Sequence, residues 1–198
     1  ISSGELQLES DLLNSSTVAV NTDARLANNG GRIGGTLNIA SGGRVATGDA
    51  LSLLEVGGNA DLQNSSILEI SIDASGNASR LDVAGTADLQ SPLYELDLAA
   101  GDYSAPVTAT LLTAGFLQPG SNLGQTIDDL AFIDVTQEPT AIGNSVQIQI
   151  QENFNNLPAL AKTPNQEATA VALEQVTNSA NPDARIIRDA LSPLRTNQ

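Results

Sequence analysis

The stretch LEVGGNADLQ at residues 54–63, continued by ILEISI at 67–72, is written a second time as LDVAGTADLQ at 81–90 and LYELDL at 93–98. Leu54, Val56, Gly58, Ala60, Asp61, Leu62 and Gln63 each recur 27 positions later. After one dropped residue, Ile67, Glu69, Ile70 and Ile72 recur as Leu93, Glu95, Leu96 and Leu98. Inside each copy the large apolar residues stand two apart, which puts them on one face of a strand, and Gly57-Gly58 or Gly85 separates one strand from the next. A unit this small cannot bury its apolar face alone. It must stack on its neighbours, and stacked short strands with turns between them predict a β-solenoid.

Working outward, further strands are expected at residues 6–8, 17–20, 36–39 and 51–56, with 60–62, 67–72, 81–83, 87–89 and 93–98 supplied by the repeat. Asn28-Asn29-Gly30-Gly31, Gly34-Gly35, Ser41-Gly42-Gly43 and Ser75-Gly76-Asn77 read as turns. NSSTVAV at 14–20 echoes NSSILEI at 64–70, a spacing of 50 that predicts two turns of the solenoid. No helical period separates the strands, which argues against βαβ units. An antiparallel sandwich is the competing architecture, and the 27-residue repeat favours a parallel β-helix.

Composition narrows the function classes. The 198-residue chain has 23 acids against 8 bases, a formal charge of -15, and no His, Cys, Met or Trp. Phosphate contacts need Lys and Arg, so nucleic acid is not an expected partner, and an anionic membrane surface would repel this chain. Without His there is no Ser-His-Asp triad. Without Cys there are no disulfides, thiolate metal sites or thiol nucleophiles. A Ser-Lys dyad could use only Lys162, at a helix start. Neither an EF-hand nor a glycine-rich calcium nonapeptide occurs, and Gly30-Gly31 to Gly34-Gly35 lacks the lysine and helix of a phosphate loop. No cofactor or metal is expected. The opening ISSGELQLES has neither a basic n-region nor an apolar h-region and reads as a cut inside a longer protein.

One constellation suggests chemistry. Asp61 and Asp88, like Glu69 and Glu95, occupy equivalent repeat positions, so stacking puts each pair about 4.8 Å apart. Retaining glycosidases hold their carboxyl groups at about 5 Å. Both pairs alternate with inward-facing Leu62, Leu89, Ile70 and Leu96, however, so they are expected on a solvated wall without a pocket, where stacked like charges are tolerated.

After residue 100 the pattern changes. YSAPVTATLLTA at 103–114, IDDLAFIDV at 127–135 and SVQIQIQ at 145–151 read as strands that match neither each other nor the repeat. Gln118-Pro119-Gly120 and Ile142-Gly143-Asn144 suggest hairpins. Phe116 and Phe132 lie here and Phe154 follows, so this part is expected to cap the open end of the stack. From Lys162 the period becomes helical: Thr163 is a candidate N-cap, Pro164 takes the first helical position and Gln166 can complete a capping box. Ala168, Val171, Ala172 and Val176 form its stripe. Asn181-Pro182-Asp183 starts a second helix with Ile186, Ile187, Ala190 and Leu191, ended by Ser192-Pro193.

The order of four pieces resembles the C-terminal passenger region of a type V autotransporter of Gram-negative bacteria: L-x-V-x-G-x-A-x-L at 81–89, YSAPVTATLLTAG at 103–115, NSVQIQI at 144–150 and TPNQEATAVAL at 163–173. The resemblance implies a right-handed parallel β-helix over residues 1–102, an autochaperone-like cap over 103–155, and a helical linker over 156–198 that leads to an outer-membrane β-barrel, the implied partner. Some family members cleave the passenger beside paired asparagines, which Asn155-Asn156-Leu157 resembles, although its flanking residues differ. The implied setting is the cell surface, reached through the periplasm. Host glycans or a second passenger are the alternative partners of an adhesin-like wall, and a polysaccharide-acting enzyme is the third reading. Folding is expected to hinge on Leu62, Leu89, Leu96, Leu111, Phe132 and Ile148, and the linker on Thr163, Pro164, Gln166 and Val171.

Overall fold

A computed structural model describes residues 1–49, 51–127, 133–152 and 163–177. The chain is predominantly β, and it passes back and forth between two sheets. The first sheet takes β1 (Gly4–Leu8), β3 (Ala24–Asn28), β6 (Arg44–Ala46), β9 (Ile67–Ile72), β11 (Leu93–Leu98) and β13 (Gln125–Ile127), in that spatial order and all parallel. The second takes β2 (Thr17–Val20), β5 (Thr36–Ile39), β8 (Ala60–Leu62), β10 (Arg80–Leu89) and β12 (Val107–Leu117) in parallel order. It then adds β15 (Ser145–Glu152) and β14 (Ile133–Ile142) antiparallel. Short β4 (Arg32–Ile33) and β7 (Leu53–Val56) pair with each other, and β7 extends onto the first half of β10. The only helix among the described residues is α1 (Pro164–Thr177).

The repeat is the register. Leu54 lies opposite Leu81, Val56 opposite Val83, Asp61 opposite Asp88 and Leu62 opposite Leu89. Past the dropped residue, Ile67 meets Leu93, Glu69 meets Glu95 and Ile70 meets Leu96. Strict alternation then sends one side chain in every two to a single apolar core shared by both sheets, including Leu37, Ile39, Leu62 and Leu89 from one and Leu26, Val45, Leu68 and Ile70 from the other.

Two kinds of corner shape each pass, one between the sheets and one within the second sheet. Between the second sheet and the first, Asp23, Gly42, Ser65 and Ser91 all have positive φ, from 60° to 73°. Their N–H groups donate in series: Asp23 to Gly42 O, Gly42 to Ser65 O, Ser65 to Ser91 O and Ser91 to Asn122 O, at 2.9–3.3 Å. Each tight turn is thus hydrogen-bonded to the same turn in the next pass, which offsets the cost of left-handed backbone at a non-glycine residue. At the other corner glycines stack directly. Gly58 N donates to Gly35 O at 3.0 Å and Gly85 N to Gly58 O at 2.9 Å. A Cβ on Gly58 would sit 2.8 Å from the carbonyl of Gly35. Gly57-Gly58 separates β7 from β8, as the sequence suggested, and Gly34-Gly35 parts β4 from β5 in the same way. Gly85 does not: the backbone bends there while the ladder continues, and 81–83 and 87–89 form one strand, β10, with a register shift between Val83 and Thr86.

The passes lengthen along the chain. Val18 lies opposite Leu37, Leu37 opposite Ala60 and Ala60 opposite Ala87, so the offset grows from 19 to 23 to 27. The added residues fall where the chain leaves the first sheet: in the loops 29–31, 47–52, 73–79 and 99–106 and, from β6 to β9, in the longer end of the strand itself, residues 70–72. Buried side chains tie these loops down. Asn28 donates from Nδ2 to Thr47 O and Leu53 O, both at 3.0 Å, while its Oδ1 accepts from the N–H groups of Gly30 and Gly31. The hydroxyls of Thr47 and Ser79 lie 2.7 Å apart. Tyr103 is fully buried, with its hydroxyl 3.0 Å from Ala99 O and 3.2 Å from Ile72 O.

Several expectations are corrected. The echo between 14–20 and 64–70 is not a stacking relation, because 17–20 belongs to the second sheet and 67–72 to the first. Strands β3, β4 and β6 were not expected. The turn at Gln118-Pro119-Gly120 is no hairpin: β13 runs parallel to β11 rather than back along β12. The turn at Gly143-Asn144 is one, with Ile142 opposite Ser145 and Gly143 at φ 62°. The strands of 107–117 and 125–127 thus extend the parallel stack, and β15 and β14 continue the second sheet antiparallel.

Candidate functional site

Five of the six residues on which folding was expected to hinge lie in the core. Leu62, Leu89, Leu96, Leu111 and Ile148 are all under a tenth exposed, while Phe132 lies outside the described residues, as do Phe154, Asn155, Asn156, Leu157 and the second helix. Leu111 is held by a β-bulge. Thr110 pairs with Gln147 and Leu112 with Val146, so Leu111 is the extra residue between them and both leucines turn inward. Ile148 faces them from β15. Phe116 does not join this cluster: it is about half exposed, at 49%. Among the described residues, the core where β12 meets the terminal hairpin is aliphatic: Ala109, Leu111 and Leu112 of β12 with Val146, Ile148 and Ile150 of β15.

In α1, the N–H of Gln166 donates to Thr163 Oγ1 at 3.3 Å and that of Glu167 to Thr163 O at 2.9 Å, so Thr163 caps the helix with Pro164 in its first position. Its apolar stripe is open to solvent over the described side chains: Ala168 and Ala172 are exposed and Val171 is 40% exposed.

The two carboxylate pairs have opposite surroundings. Asp61 and Asp88 sit on adjacent strands of the solvent face, joined by Gln90, whose Nε2 donates to Asp61 Oδ1 at 3.1 Å and to Asp88 Oδ2 at 3.4 Å. Partial burial, and then the charge of Asp88, push the Asp61 carboxyl above the usual range. Glu69 and Glu95 instead belong to a five-residue charge ladder across the outer face of the first sheet. Arg25 bonds Glu5 at 2.8 Å and Glu69 at 2.6 Å, and Arg44 bonds Glu69 at 2.8 Å and also Glu95. Sequence reading paired the two glutamates with each other and missed the ladder, because Arg25 and Arg44 lie in passes that carry no copy of the repeat. The Glu69 side chain is only 20% exposed. Burial works against its charge, and hydrogen bonds from Arg25 and Arg44 outweigh that and hold the carboxyl below the usual range.

A depressed folded pKa contributes stability that is present above the unfolded value and lost as pH falls through the folded one. Melting temperature is therefore expected to fall on acidification below the ordinary glutamate range. Asp61, with its raised pKa, works the other way, its contribution being present at low pH and lost as pH rises. Glu69→Gln is expected to cost about 1–3 kcal/mol at neutral pH and to flatten the acid limb, since it leaves two half-buried arginines without their shared carboxylate. Melts of both proteins across the acid range check this. An unchanged acid limb would mean that the ladder carries no net stability.

No group of three or more potential metal ligands occurs among the described residues. No family model matches this chain, and a search of the curated proteins gave no match. No helix among the described residues is long and apolar enough to cross a membrane, which says nothing about β-barrels.

Proposed function

We propose that this chain is the stalk and folding-nucleus region of a secreted or surface-displayed passenger of the autotransporter type, built as a right-handed parallel β-helix, with a structural rather than a catalytic role. The observation that carries the reading is the terminal arrangement of the second sheet. Parallel passes stack through β10 and β12, and the antiparallel pair β15 and β14 then continues the sheet, with Val146 and Ile148 of β15 and Leu111 and Leu112 of β12 buried in the core. A growing stack of this kind can add a pass only to a formed template. Among the described residues, the hairpin is the one part whose consecutive strands pair with each other through a two-residue loop, and local pairing forms fastest. In this reading the segment 103–155 folds first outside the cell and templates the passes of 1–102. In the same reading the segment 156–198, of which α1 with its open stripe is the described part, is the linker that leads to an outer-membrane barrel as partner.

The test uses the full-length protein in cells. Leu111→Asp, or deletion of residues 105–150, is expected to leave the barrel inserted and the passenger protease-sensitive or stalled. Deletion of residues 54–80, one pass, is expected to be milder. Surface exposure and protease resistance are measured for each. Equal damage from both deletions would remove the special role of the terminal segment.

A further inference from the structure

The lengthening loops leave a concave place on the outer face of the second sheet. Leu51 from the 47–52 loop, Gly76 and Asn77 from the 73–79 loop, and Thr108 and Thr110 of β12 surround Arg80 at the start of β10, enclosing about 290 Å³. Arg80 is unlike the ladder arginines. Its nearest carboxylate is Asp82, with Nη2 to Oδ2 at 4.0 Å, and Asp82 already accepts a short hydrogen bond from Thr113. Its Nε is buried and has no hydrogen-bond partner among the described residues. The side chain as a whole is 37% exposed, so an incoming group would meet the guanidinium at its outer end rather than at Nε. Beside it Leu51 is 71% exposed, although its backbone is held at φ 77°, a conformation that a leucine adopts only under constraint. Leu53, in register with Arg80, adds a second half-exposed aliphatic surface.

We propose that this groove binds the carboxylate of an acidic saccharide, of which a hexuronate is the simplest member. The guanidinium offers a planar fork of donors that matches a carboxylate. The hydroxyls of Thr108 and Thr110 lie where ring hydroxyls would fall, and Leu51 with Leu53 offers a surface to the C–H face of the ring. An extended peptide fits less well, because the groove lies on a sheet face whose backbone groups are already paired and offers no free edge for strand addition. The chain's formal charge of -15 opposes any anion at long range, but beyond about 8 Å that field is screened at physiological salt, so the local guanidinium governs recognition. The inference does not depend on the stalk reading and can fail or stand without it.

The experiment is a titration of the isotope-labelled chain, followed by amide chemical shifts, with sodium glucuronate, glucose, sodium acetate and a short peptide bearing a free C-terminal carboxylate. Glucuronate is expected to shift the amides of Gly76, Asn77, Arg80 and Thr110 with millimolar saturation, and glucose and acetate to bind at least about tenfold more weakly. Arg80→Ala is expected to abolish the response while shifts elsewhere stay unchanged. Should that variant not fold, Arg80→Lys keeps the charge without the fork and should weaken glucuronate several-fold. Acetate or the peptide binding as well as glucuronate would overturn the saccharide assignment. No localised shift, or one that survives loss of the fork, would overturn the site.

Discussion

Leu89→Asp is expected to destabilise the chain severely, while Asp88→Ala, one residue away, is expected to leave its melting temperature nearly unchanged. Leu89 is 1% exposed and lies opposite Leu62, also fully buried. The substitution removes burial worth about 1.5–3 kcal/mol and sets a carboxylate among aliphatic side chains, for a total of about 4 kcal/mol or more. Against a total stability of about 5–15 kcal/mol for a protein of this kind, that removes from about a quarter to most of what holds the fold. Asp88 faces solvent, and its removal relieves the charge that it places on Asp61. It gives up only the weak contact from Gln90 at 3.4 Å. Thermal melts of the two variants decide the matter. Damage from Asp88→Ala with tolerance of Leu89→Asp would shift the register by one and turn every inward side chain outward.

Gly58→Val is expected to be about as severe, for a different reason. Its Cβ would meet the carbonyl carbon and oxygen of Gly35 at 2.8 Å, and these are backbone atoms that no rotamer change can move aside. Nor can the two passes separate, because Gly58 N donates to Gly35 O and Gly58 O accepts from Gly85 N. A cost above about 3 kcal/mol follows, from overpacking and from strained ladder bonds together. Ala84→Val, on the same corner but with its side chain exposed, is the control and should stay within about 0.5 kcal/mol of the parent. If denaturant melts give the two variants the same midpoint, the glycine column does not act through close backbone approach.

What could be read from the sequence was what it writes twice. The 27-residue repeat yielded the pairing of Leu54 with Leu81 and Leu62 with Leu89, and the same alternation yielded the buried side of each strand. Where no copy exists, the reading failed for physical reasons. Strands β3 and β6, ARLAN and RVA, hold too few large apolar residues for a period to be seen, and it is their neighbours on both sides that make them strands. The Arg25–Glu69–Arg44 ladder joins residues from three passes of unequal length, so no fixed spacing reveals it. Arg80 carries no signal in the sequence beyond its charge. Its groove arises from two loops and a bulged strand, none of which has a signature in sequence. The bulge at Leu111 was equally hidden, since two adjacent leucines read as one inside and one outside until the partner strand is known.

The unequal lengths of the passes have one more consequence. Were every turn of the chain the same, any strand could sit beside any other, and a molecule could slide by one layer or trade layers with its neighbour at little cost. Here the 73–79 loop is matched to 47–52 on one side and to 99–106 on the other, and the buried Asn28, Thr47, Ser79 and Tyr103 lock successive loops at different heights. A slip by a single layer would leave those polar groups buried without their acceptors. The chain is in effect indexed, each layer carrying its own address, and a pile of parallel strands that might otherwise grow into a fibre is given a definite order and a definite count.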